Sequence, residues 1–280
     1  MNHEITEETG DSTNSLETSL KRHGIKLAKS KARKLDEYCR LLWDWNTRLN
    51  LTRHTDYEKF VTRDLADSLA LEKFLRKGER ILDVGTGGGV PGVVLAILRP
   101  DLKIELCDST GKKAMAVSEI LQELRLDIPV HHAKAEIVLA GRGKGTRFTT
   151  LTIRAVSRLV KLLQMVSPYW TVFDRMLLVK GPKWADERGE ARHYNLMNKL
   201  ALRCLKTYPT PVSESETVGS VILQVCRKDD FERLDEVIDF HKDERPDPPR
   251  EFQRRPFKKT FGKKTFKKPG DGKPKDSRRK

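Results

Sequence analysis

The hydrophobic positions of this chain follow two different patterns, and the change falls near residue 79. Between residues 30 and 50 they recur every three or four residues, which predicts an amphipathic helix with Ser30 as its N-cap. The stripe consists of Leu35, Tyr38, Leu41, Leu42, Trp45 and Leu49. Beyond residue 79 short apolar runs alternate with helical stretches. We therefore expect an N-terminal helical segment over residues 15–78, followed by an α/β domain over residues 79–227.

Seven short apolar runs in the second region have the composition of strands. They are Ile81–Val84, Ile104–Cys107, Ile128–His131, Leu151–Ile153, Met176–Lys180, Leu202–Tyr208 and Val218–Cys226. Helical stretches are expected at Val90–Leu98, Lys112–Arg125, Arg158–Ser167 and Lys183–Leu200. This alternation predicts an α/β fold with a doubly wound, mostly parallel sheet. The last two runs follow each other directly, which predicts an antiparallel hairpin at the edge of the sheet.

The net charge of +15 is concentrated at one end of the chain. Residues 245–280 carry 15 basic and 4 acidic side chains, so residues 1–244 contribute only +4. The apolar residues of this segment are four phenylalanines, too few to offset the entropy of ordering it, and we expect a disordered basic tail. Its repeated Phe-Lys-Lys pattern suits RNA, through phosphate neutralisation and stacking. The alternative is a solvated, solubilising extension.

The chain ends, the apolar runs and the cysteines exclude several classes of protein. Residues 1–14 are polar and acidic and are expected to be disordered, and a short charged helix is expected within residues 228–244. The longest apolar run has six residues, no signal peptide is visible, and the four cysteines form no paired motif. We therefore expect a cytoplasmic protein without a metal site or a membrane partner. We further expect a monomer.

The most informative stretch is a glycine-rich turn directly after the first strand of the second region. Five glycines occur among the eight residues from 85 to 92. Glycines there permit a tight strand-to-helix turn and a close approach of a ligand to the backbone. Two ligand classes use this geometry: nicotinamide or flavin dinucleotides, and S-adenosylmethionine. A structural glycine turn beside a solvated Asp83 is the alternative without a ligand.

Two acidic residues favour S-adenosylmethionine over a dinucleotide. Asp83 precedes Gly85 by two residues, where a carboxylate is unfavourable beside a pyrophosphate but compatible with a sulfonium and an ammonium group. Asp108 closes the next strand and can accept hydrogen bonds from both hydroxyls of a ribose. We therefore predict a site for the methyl donor, with a nicotinamide oxidoreductase as an alternative.

The residues around this turn resemble those of a known family. Asp83–Gly92 and Cys107–Lys113 are similar to the RsmG (GidB) family of bacterial 16S rRNA methyltransferases, which act on N7 of guanine 527. Shorter similar elements follow the family's order, namely Trp45–Thr52, Arg63–Ser68, Lys134–Glu136, Ile153–Ala155 and Val179–Gly181. The similarity covers about residues 16–226. It implies a Rossmann-like class I methyltransferase fold, with 16S rRNA of the small ribosomal subunit as partner.

The resemblance also implies roles for individual residues. Those implied to bind S-adenosylmethionine are Gly85, Val90, Asp108, Ala135, Glu136 and Arg154. Within this set Asp108 would hold the ribose, and Arg154 would lie beside the methionine end or the incoming guanine. Those implied to face the RNA are Asn50, Arg63 and Lys180, together with Gly181. Arg154 is also the best candidate for catalysis, and its alternative role is that of a surface ion-pair partner.

Three positions depart from the family's pattern. Asp64 replaces the usual histidine, which is expected to add negative charge where the RNA approaches. Thr149 stands where an aspartate is frequent, and Ile153 replaces the serine before Arg154. These departures concern substrate contacts more than cofactor binding. They support an alternative, a methyltransferase for a different RNA position or for a small molecule.

The implied reaction needs few catalytic groups. Guanine N7 has an exposed lone pair and carries no proton, so its methylation requires placement against the methyl group rather than a general base. The sequence agrees with this, because it has no evident Ser/His/Asp or paired-carboxylate constellation. A further alternative is a non-catalytic RNA-binding factor for ribosome assembly that retains the methyltransferase fold. Binding of S-adenosylmethionine would distinguish the enzyme from that factor.

Overall fold

The computed structural model describes residues 15–211 and 217–235. The segments predicted to be disordered, residues 1–14 and 245–280, lie outside the described residues. The same holds for most of the charged helix expected within residues 228–244. Its described part is a turn of 3₁₀ helix, Lys228–Asp230, and the helix α10, Phe231–Asp235.

The centre of the fold is a seven-stranded sheet in the order β3-β2-β1-β4-β5-β7-β6. The strands are β1 Arg80–Val84, β2 Lys103–Asp108, β3 Val130–His132, β4 Phe148–Arg154, β5 Phe173–Lys180, β6 Leu200–Pro211 and β7 Thr217–Arg227. The first five are parallel, and β7 pairs antiparallel with both β5 and β6. The predicted mostly parallel sheet with an antiparallel edge hairpin is therefore confirmed.

Helices cover both faces of the sheet. They are α1 Leu16–Arg22, α2 Lys29–Asn46, α3 Tyr57–Lys59, α4 Ala66–Glu72, α5 Gly92–Leu98, α6 Gly111–Glu123, α7 Ala135–Ala140, α8 Leu159–Val166 and α9 Trp184–His193. A π-helical stretch, Phe60–Leu65, joins α3 to α4. The N-terminal helices pack with α5 and α6 on one face, and α7 to α9 pack on the other. Ile81 and Leu82 belong to these two different cores, as alternation along a strand buried on both faces requires.

The amphipathic stripe of α2 forms as predicted, but the helix begins earlier than expected. Leu35, Tyr38 and Leu42 are fully buried against the sheet-facing core. Ala28 occupies the N-cap position, and its carbonyl oxygen accepts a hydrogen bond from the Ala32 amide (3.0 Å). The assignment of Ser30 as N-cap was wrong, because packing of the preceding apolar residues on the core starts the helix before the serine.

Two further helices differ from the sequence prediction. The stretch expected to run to residue 200 ends at His193, because Asn195 adopts a left-handed conformation (φ 59°). The Leu196 amide then bonds the carbonyl oxygen of Ala191 (3.1 Å), an arrangement typical of helix C-termini. Helix α7 was not predicted, since six residues are too few to show a helical period.

Candidate functional site

The loops that follow the parallel strands meet at the carboxyl edge of the sheet. The chain order reverses between β1 and β4, the position at which doubly wound sheets bind ligands. The glycine loop, residues 85–91, follows β1. Asp108, Arg154 and Lys180 are the last residues of β2, β4 and β5. Several of the residues singled out from the sequence therefore share one edge.

The glycine loop is held against the N-terminal helices. The Tyr38 hydroxyl on α2 donates a hydrogen bond to the carbonyl oxygen of Gly88 (2.8 Å). A Cβ at Gly88 would lie 2.8 Å from Leu42 Cδ1 and 3.3 Å from the Leu51 carbonyl oxygen, so a larger residue would push the loop away from α2. The helical segment thus fixes the shape of the loop.

Asp108 connects the glycine loop to the end of β2. Its Oδ2 accepts a hydrogen bond from the Gly87 amide (3.0 Å), and its Oδ1 accepts one from the Thr110 amide (2.8 Å). A carboxylate has about four acceptor positions, so both oxygens can accept further bonds from ribose hydroxyls. Gly85 and Val90 lie at the two ends of the same loop and are half-buried. The structure therefore brings three of the predicted cofactor residues together in a cradle that fits S-adenosylmethionine.

Ala135 and Glu136 open helix α7 at the end of β3. Ala135 is buried and Glu136 is half-buried. The Ala133 amide donates a hydrogen bond to the carbonyl oxygen of Asp108 (3.1 Å), which ties this turn to the Asp108 turn. The placement agrees with the predicted roles beside the adenine, which stay a prediction.

Two exposed apolar side chains at this edge were missed by the sequence reasoning. Ile137 is 64% exposed on α7, and Val156 is 40% exposed in the loop after β4. Val156 packs over Gly85, where an added Cβ would approach its Cγ2 to 2.6 Å. Exposed apolar surface beside a ligand cradle suits a flat adenine ring. Single apolar residues in a short helix or a loop follow no period, so no sequence signal could have identified them.

Asp83 is fully buried beneath the glycine loop instead of facing a ligand or the solvent. Its Oδ2 accepts a hydrogen bond from the Gly92 amide at the start of α5 (3.1 Å), and its Oδ1 accepts one from the Thr152 hydroxyl (2.7 Å). Burial raises the pKa of Asp83 to about 6. The residue therefore anchors the loop to the sheet, and its influence on a bound cation acts through the protein interior.

The pKa of Asp83 predicts a specific pH dependence of stability. Because the folded value of about 6 lies above the ordinary value of 3.8, the native state binds the extra proton between these limits. The stabilisation is complete below about pH 4 and is lost as the pH rises through 6, to the extent of about 3 kcal/mol. We expect Asp83→Asn to lack this loss, so that between pH 4 and 7 wild type falls in stability relative to the variant in urea unfolding.

Asp101→Asn is the matched control for that measurement. The Arg99 guanidinium lowers the pKa of Asp101 to about 2, so its contribution to stability changes below pH 4 and in the opposite direction. The difference between wild type and this variant should be constant from pH 4 to 7. A constant difference for Asp83→Asn as well would contradict the assignment.

Arg154 lies at the centre of a buried charged group, the Arg154 cluster. Its Nη2 pairs with Asp64 Oδ1, and its Nη1 lies 3.5 Å from Asp67 Oδ2. His54 Nδ1 also bonds Asp64 Oδ1 (2.9 Å), and the Tyr208 hydroxyl donates to Asp67 Oδ1 (2.6 Å). The cluster joins the helical segment to the ends of β4 and β6. Arg154 is thus an ion-pair partner, as the alternative proposed, but at a largely buried position rather than at the surface, since only 18% of its side chain is exposed.

From its departure from the family's pattern, Asp64 was expected to add negative charge to the RNA-facing surface. The structure contradicts this expectation. Its side chain is 1% exposed. Burial opposes its ionisation, but the hydrogen bond from His54 and the charge of Arg154 outweigh burial and hold the pKa of Asp64 below its ordinary value. For Asp67, burial dominates and raises the pKa. Asp64 is therefore an internal partner of Arg154.

Tyr208 offers a test of the Arg154 cluster that leaves its charges intact. We expect Tyr208→Phe to lower the free energy of unfolding by about 1–3 kcal/mol, because Asp67 would lose a buried hydrogen-bond donor. Urea unfolding at neutral pH measures the change. Tyr194→Phe, which removes a hydroxyl from a tyrosine that is 56% exposed, serves as the control. Equal effects of the two substitutions would contradict the role of Tyr208.

The three residues predicted to face the RNA have different surroundings. Asn50 is exposed in the loop after α2. Arg63 Nη1 donates a hydrogen bond to the carbonyl oxygen of Pro211 (2.5 Å), at the end of β6. Lys180 pairs with Glu187 (2.8 Å) and is 12% exposed. Arg63 and Lys180 thus have protein partners, and contact of all three with RNA stays a prediction.

Within residues 15–211 and 217–235, no group of three or more histidine, cysteine, aspartate or glutamate side chains is arranged to hold a metal ion. The helices in the same part of the chain are all too short or too polar to cross a lipid bilayer.

Comparisons with known proteins agree with this arrangement. The family model described as GidB, rRNA small subunit methyltransferase G, matches residues 31–211. The ribosomal RNA small subunit methyltransferase G of Rhodopirellula baltica is 47% identical over 192 residues, covering 69% of this chain and 81% of the relative. That of a Roseiflexus species is 34% identical over 204 residues, covering 71% and 86%. A solved precorrin-6y C5,15-methyltransferase from Geobacter metallireducens aligns over 61% of this chain and 92% of its own, with 11% identity and a TM-score of 0.44.

The doubly wound sheet, with a glycine loop and Asp108 at its switch point, defines a Rossmann-like methyltransferase whose cofactor is S-adenosylmethionine. More specifically, the chain belongs to the GidB family of rRNA small subunit methyltransferases. The predicted family, fold class and methyl donor are confirmed. The nicotinamide oxidoreductase alternative loses its support.

Proposed function

We propose that this protein methylates N7 of guanine 527 in 16S rRNA, acting as a monomer in the cytoplasm. Membership of the family supports methylation of small-subunit rRNA. The atom and the position rest on the resemblance of the glycine loop and the Asp108 turn to the RsmG pattern. The arrangement of ionisable groups at the carboxyl edge supports N7 over atoms that must lose a proton.

The observation that carries the proposal is that each buried carboxylate described at this edge has at least one partner in the protein, and Asp64 Oδ2, which has no hydrogen-bond partner, is itself buried. Asp108 accepts two backbone amides, and Asp83 accepts one amide and one hydroxyl. Asp64 and Asp67 share the guanidinium of Arg154. None of these five residues is held ready to remove a proton from a substrate. A nucleophile with a free lone pair, such as guanine N7, needs no such group.

The residues of the cradle then act by position. When bound, S-adenosylmethionine supplies an electrophilic methyl group on a sulfonium centre. Asp108 would hold the ribose, and the glycine loop would fix the distance between backbone and ligand. Tyr38 keeps that loop in place through Gly88. Holding the reacting atoms in line lowers the barrier through proximity and orientation.

The Arg154 cluster contributes electrostatically. Methylation at N7 would leave positive charge on the purine, so the residues beside the cleft would have to accommodate that charge. The carboxylates of Asp64 and Asp67 lie beside the cleft, and the guanidinium of Arg154 holds them in place. Carboxylate oxygens in fixed positions would stabilise a purine that becomes cationic in the transition state. Arg154 is in this view a positioning residue for the two carboxylates.

Purified protein tests the proposal directly. Labelled S-adenosylmethionine is incubated with unmethylated small subunits and, separately, with naked 16S rRNA, and the RNA is digested to nucleosides. We expect N7-methylguanine as the labelled product, at up to one methyl group per RNA. Label in another nucleoside would favour a different RNA position. Binding of S-adenosylmethionine without any RNA product would favour the non-catalytic assembly factor.

The basic tail gives a prediction that is separate from the chemistry. Deleting residues 245–280 removes a net charge of +11 and is expected to weaken binding to the small subunit. The slope of log affinity against log salt should flatten by roughly 0.7 for each lost phosphate contact. Affinity for S-adenosylmethionine should not change. An unchanged salt slope would contradict RNA contact and favour the solubilising extension.

A further inference from the structure

A second feature lies at the opposite edge of the sheet, at the amino ends of the parallel strands. It is an open groove of about 550 Å³, called here the basic groove, and this volume falls in the range of ligand sites. Its basic side chains are those of Arg80, Lys103, Arg147, Arg227 and Arg233. Two acidic residues, Asp174 and Asp230, also line it. The lining thus carries a net charge of +3.

Both acidic residues of the basic groove are already engaged. Asp174 Oδ1 pairs with Arg147 Nη2 (2.7 Å) and lies 3.6 Å from Arg233 Nη2. Asp230 pairs with Arg227 (2.7 Å) and Arg233 (3.2 Å). The buried Nε of Arg147 has no hydrogen-bond acceptor within the described residues. The groove thus has five basic side chains for two carboxylates, an excess of positive charge that a bound anion would balance.

Arg80 and Lys103 supply cations that no carboxylate neutralises among the residues the structure describes. They are the first residues of the adjacent strands β1 and β2, and they are partners in the parallel register. Neighbouring strands are about 4.8 Å apart, so the two side chains can reach the same phosphate. Lys103 is exposed and Arg80 is half-buried, which leaves both accessible from the groove.

We propose that the basic groove binds a phosphodiester segment of the substrate RNA, distant from the methylated base. The five residues of β1 put roughly 15 Å between the groove and the glycine loop, too far for one nucleotide to occupy both. Helix α10, whose Arg233 lines the groove, continues in sequence toward residues 245–280 with their charge of +11. A phosphodiester backbone carries the repeated negative charges that match the five basic side chains of the groove. The proposal rests on the proposed function only in taking RNA as the substrate.

The test compares two double variants that lose the same charge. In one, Arg80→Gln is combined with Lys103→Gln. In the other, Lys161→Gln is combined with Arg192→Gln, on exposed positions of α8 and α9 outside the groove. For the groove variant we expect a roughly tenfold loss of affinity for unmethylated small subunits and a salt slope flatter by about 1.5, as for two lost phosphate contacts. The control variant should keep its slope.

Binding of S-adenosylmethionine and of small anions is measured for the same variants. All variants should bind S-adenosylmethionine as wild type does, and Lys103→Glu alone, at an exposed position, replaces the double variant if that fails to fold. Equal losses in the groove and control variants would overturn the proposal. The proposal would also be overturned if inorganic phosphate or AMP stabilised wild type but not the groove variant while both bound RNA with the same affinity. That result would indicate a site for a small anion. A gain in RNA affinity would overturn it too, because it would show that the two cations oppose RNA binding. Failure of the proposed function would instead show as intact RNA binding without N7-methylguanine.

Discussion

Replacing Asp108 with alanine is expected to weaken binding of S-adenosylmethionine by about 10- to 150-fold, which corresponds to the roughly 1.5–3 kcal/mol of hydrogen bonds to a charged group. The substitution removes the acceptor for the ribose and also releases the Gly87 amide, which Asp108 holds at 3.0 Å. Both losses act at the cofactor cradle. Isothermal titration of the purified variant with S-adenosylmethionine measures the change.

Asp101→Ala is the matched control for this experiment. Asp101 also accepts a hydrogen bond from a loop amide, that of Gly78 (3.1 Å), but it lies at the opposite edge of the sheet. Its replacement should leave cofactor affinity within about twofold of wild type, since the lost bonds are remote from the cradle. If both variants bind S-adenosylmethionine as well as wild type does, Asp108 is not part of the cofactor site.

Replacing Arg154 with methionine is expected to have two large effects. The free energy of unfolding should fall by about 3–5 kcal/mol, because two buried carboxylates would lose their counter-ion. The methylation rate of the remaining folded enzyme should fall by about 100-fold or more, since the cluster beside the cleft would lose its geometry. Unfolding in urea and single-turnover methylation at saturating RNA measure the two effects separately.

Two further variants, Arg154→Lys and Arg158→Met, serve as comparisons for Arg154→Met. Arg154→Lys keeps the charge but cannot reach both carboxylates with a planar fork, so it should recover part of the stability and less of the rate. Arg158→Met breaks an ion pair with Glu190 whose arginine side chain is 63% exposed, and it should cost less than about 1 kcal/mol. Equal destabilisation by Arg154→Met and Arg158→Met would contradict the buried cluster.

The cofactor cradle could be predicted from the sequence because its parts are local. A strand, a glycine turn and a carboxylate at the end of the next strand are adjacent in sequence, and parallel strands bring their carboxyl ends together.

The turn after α2 also has a local signal in the sequence, the asparagine Asn46. Its Oδ1 accepts the amides of Leu51 (2.8 Å) and Thr52 (2.9 Å), the kind of turn closure that asparagine favours.

The Arg154 cluster could not be predicted in the same way. Arg154 and Asp64 are 90 residues apart in sequence, and Tyr208 and Asp67 are 141 apart. No local pattern indicates such a pairing, which depends on the helical segment packing against the ends of β4 and β6. This is why Asp64 looked like an exposed departure from the family's pattern while the structure buries it.

The same limit applies on the other edge of the sheet. Arg175 is fully buried on β5, the last of the parallel strands, and it pairs with Glu79 (2.9 Å), 96 residues away in sequence. In the sequence it is one charged residue ahead of an apolar run. Only the register of the strands shows that the charge of Arg175 is neutralised. It also shows that Arg80, the neighbour of Glu79 in sequence, lines the basic groove instead.

Methylation of guanine 527 is tested in cells by its state in 16S rRNA from a strain that lacks this gene. Reverse transcription after chemical cleavage at N7-methylguanine reads this position. We expect a stop at 527 in RNA from wild-type cells and no stop there in the deletion strain. The stop should return when the intact gene is restored, but not when the Asp108→Ala variant is. A stop that persists at 527 in the deletion strain would contradict the proposed function.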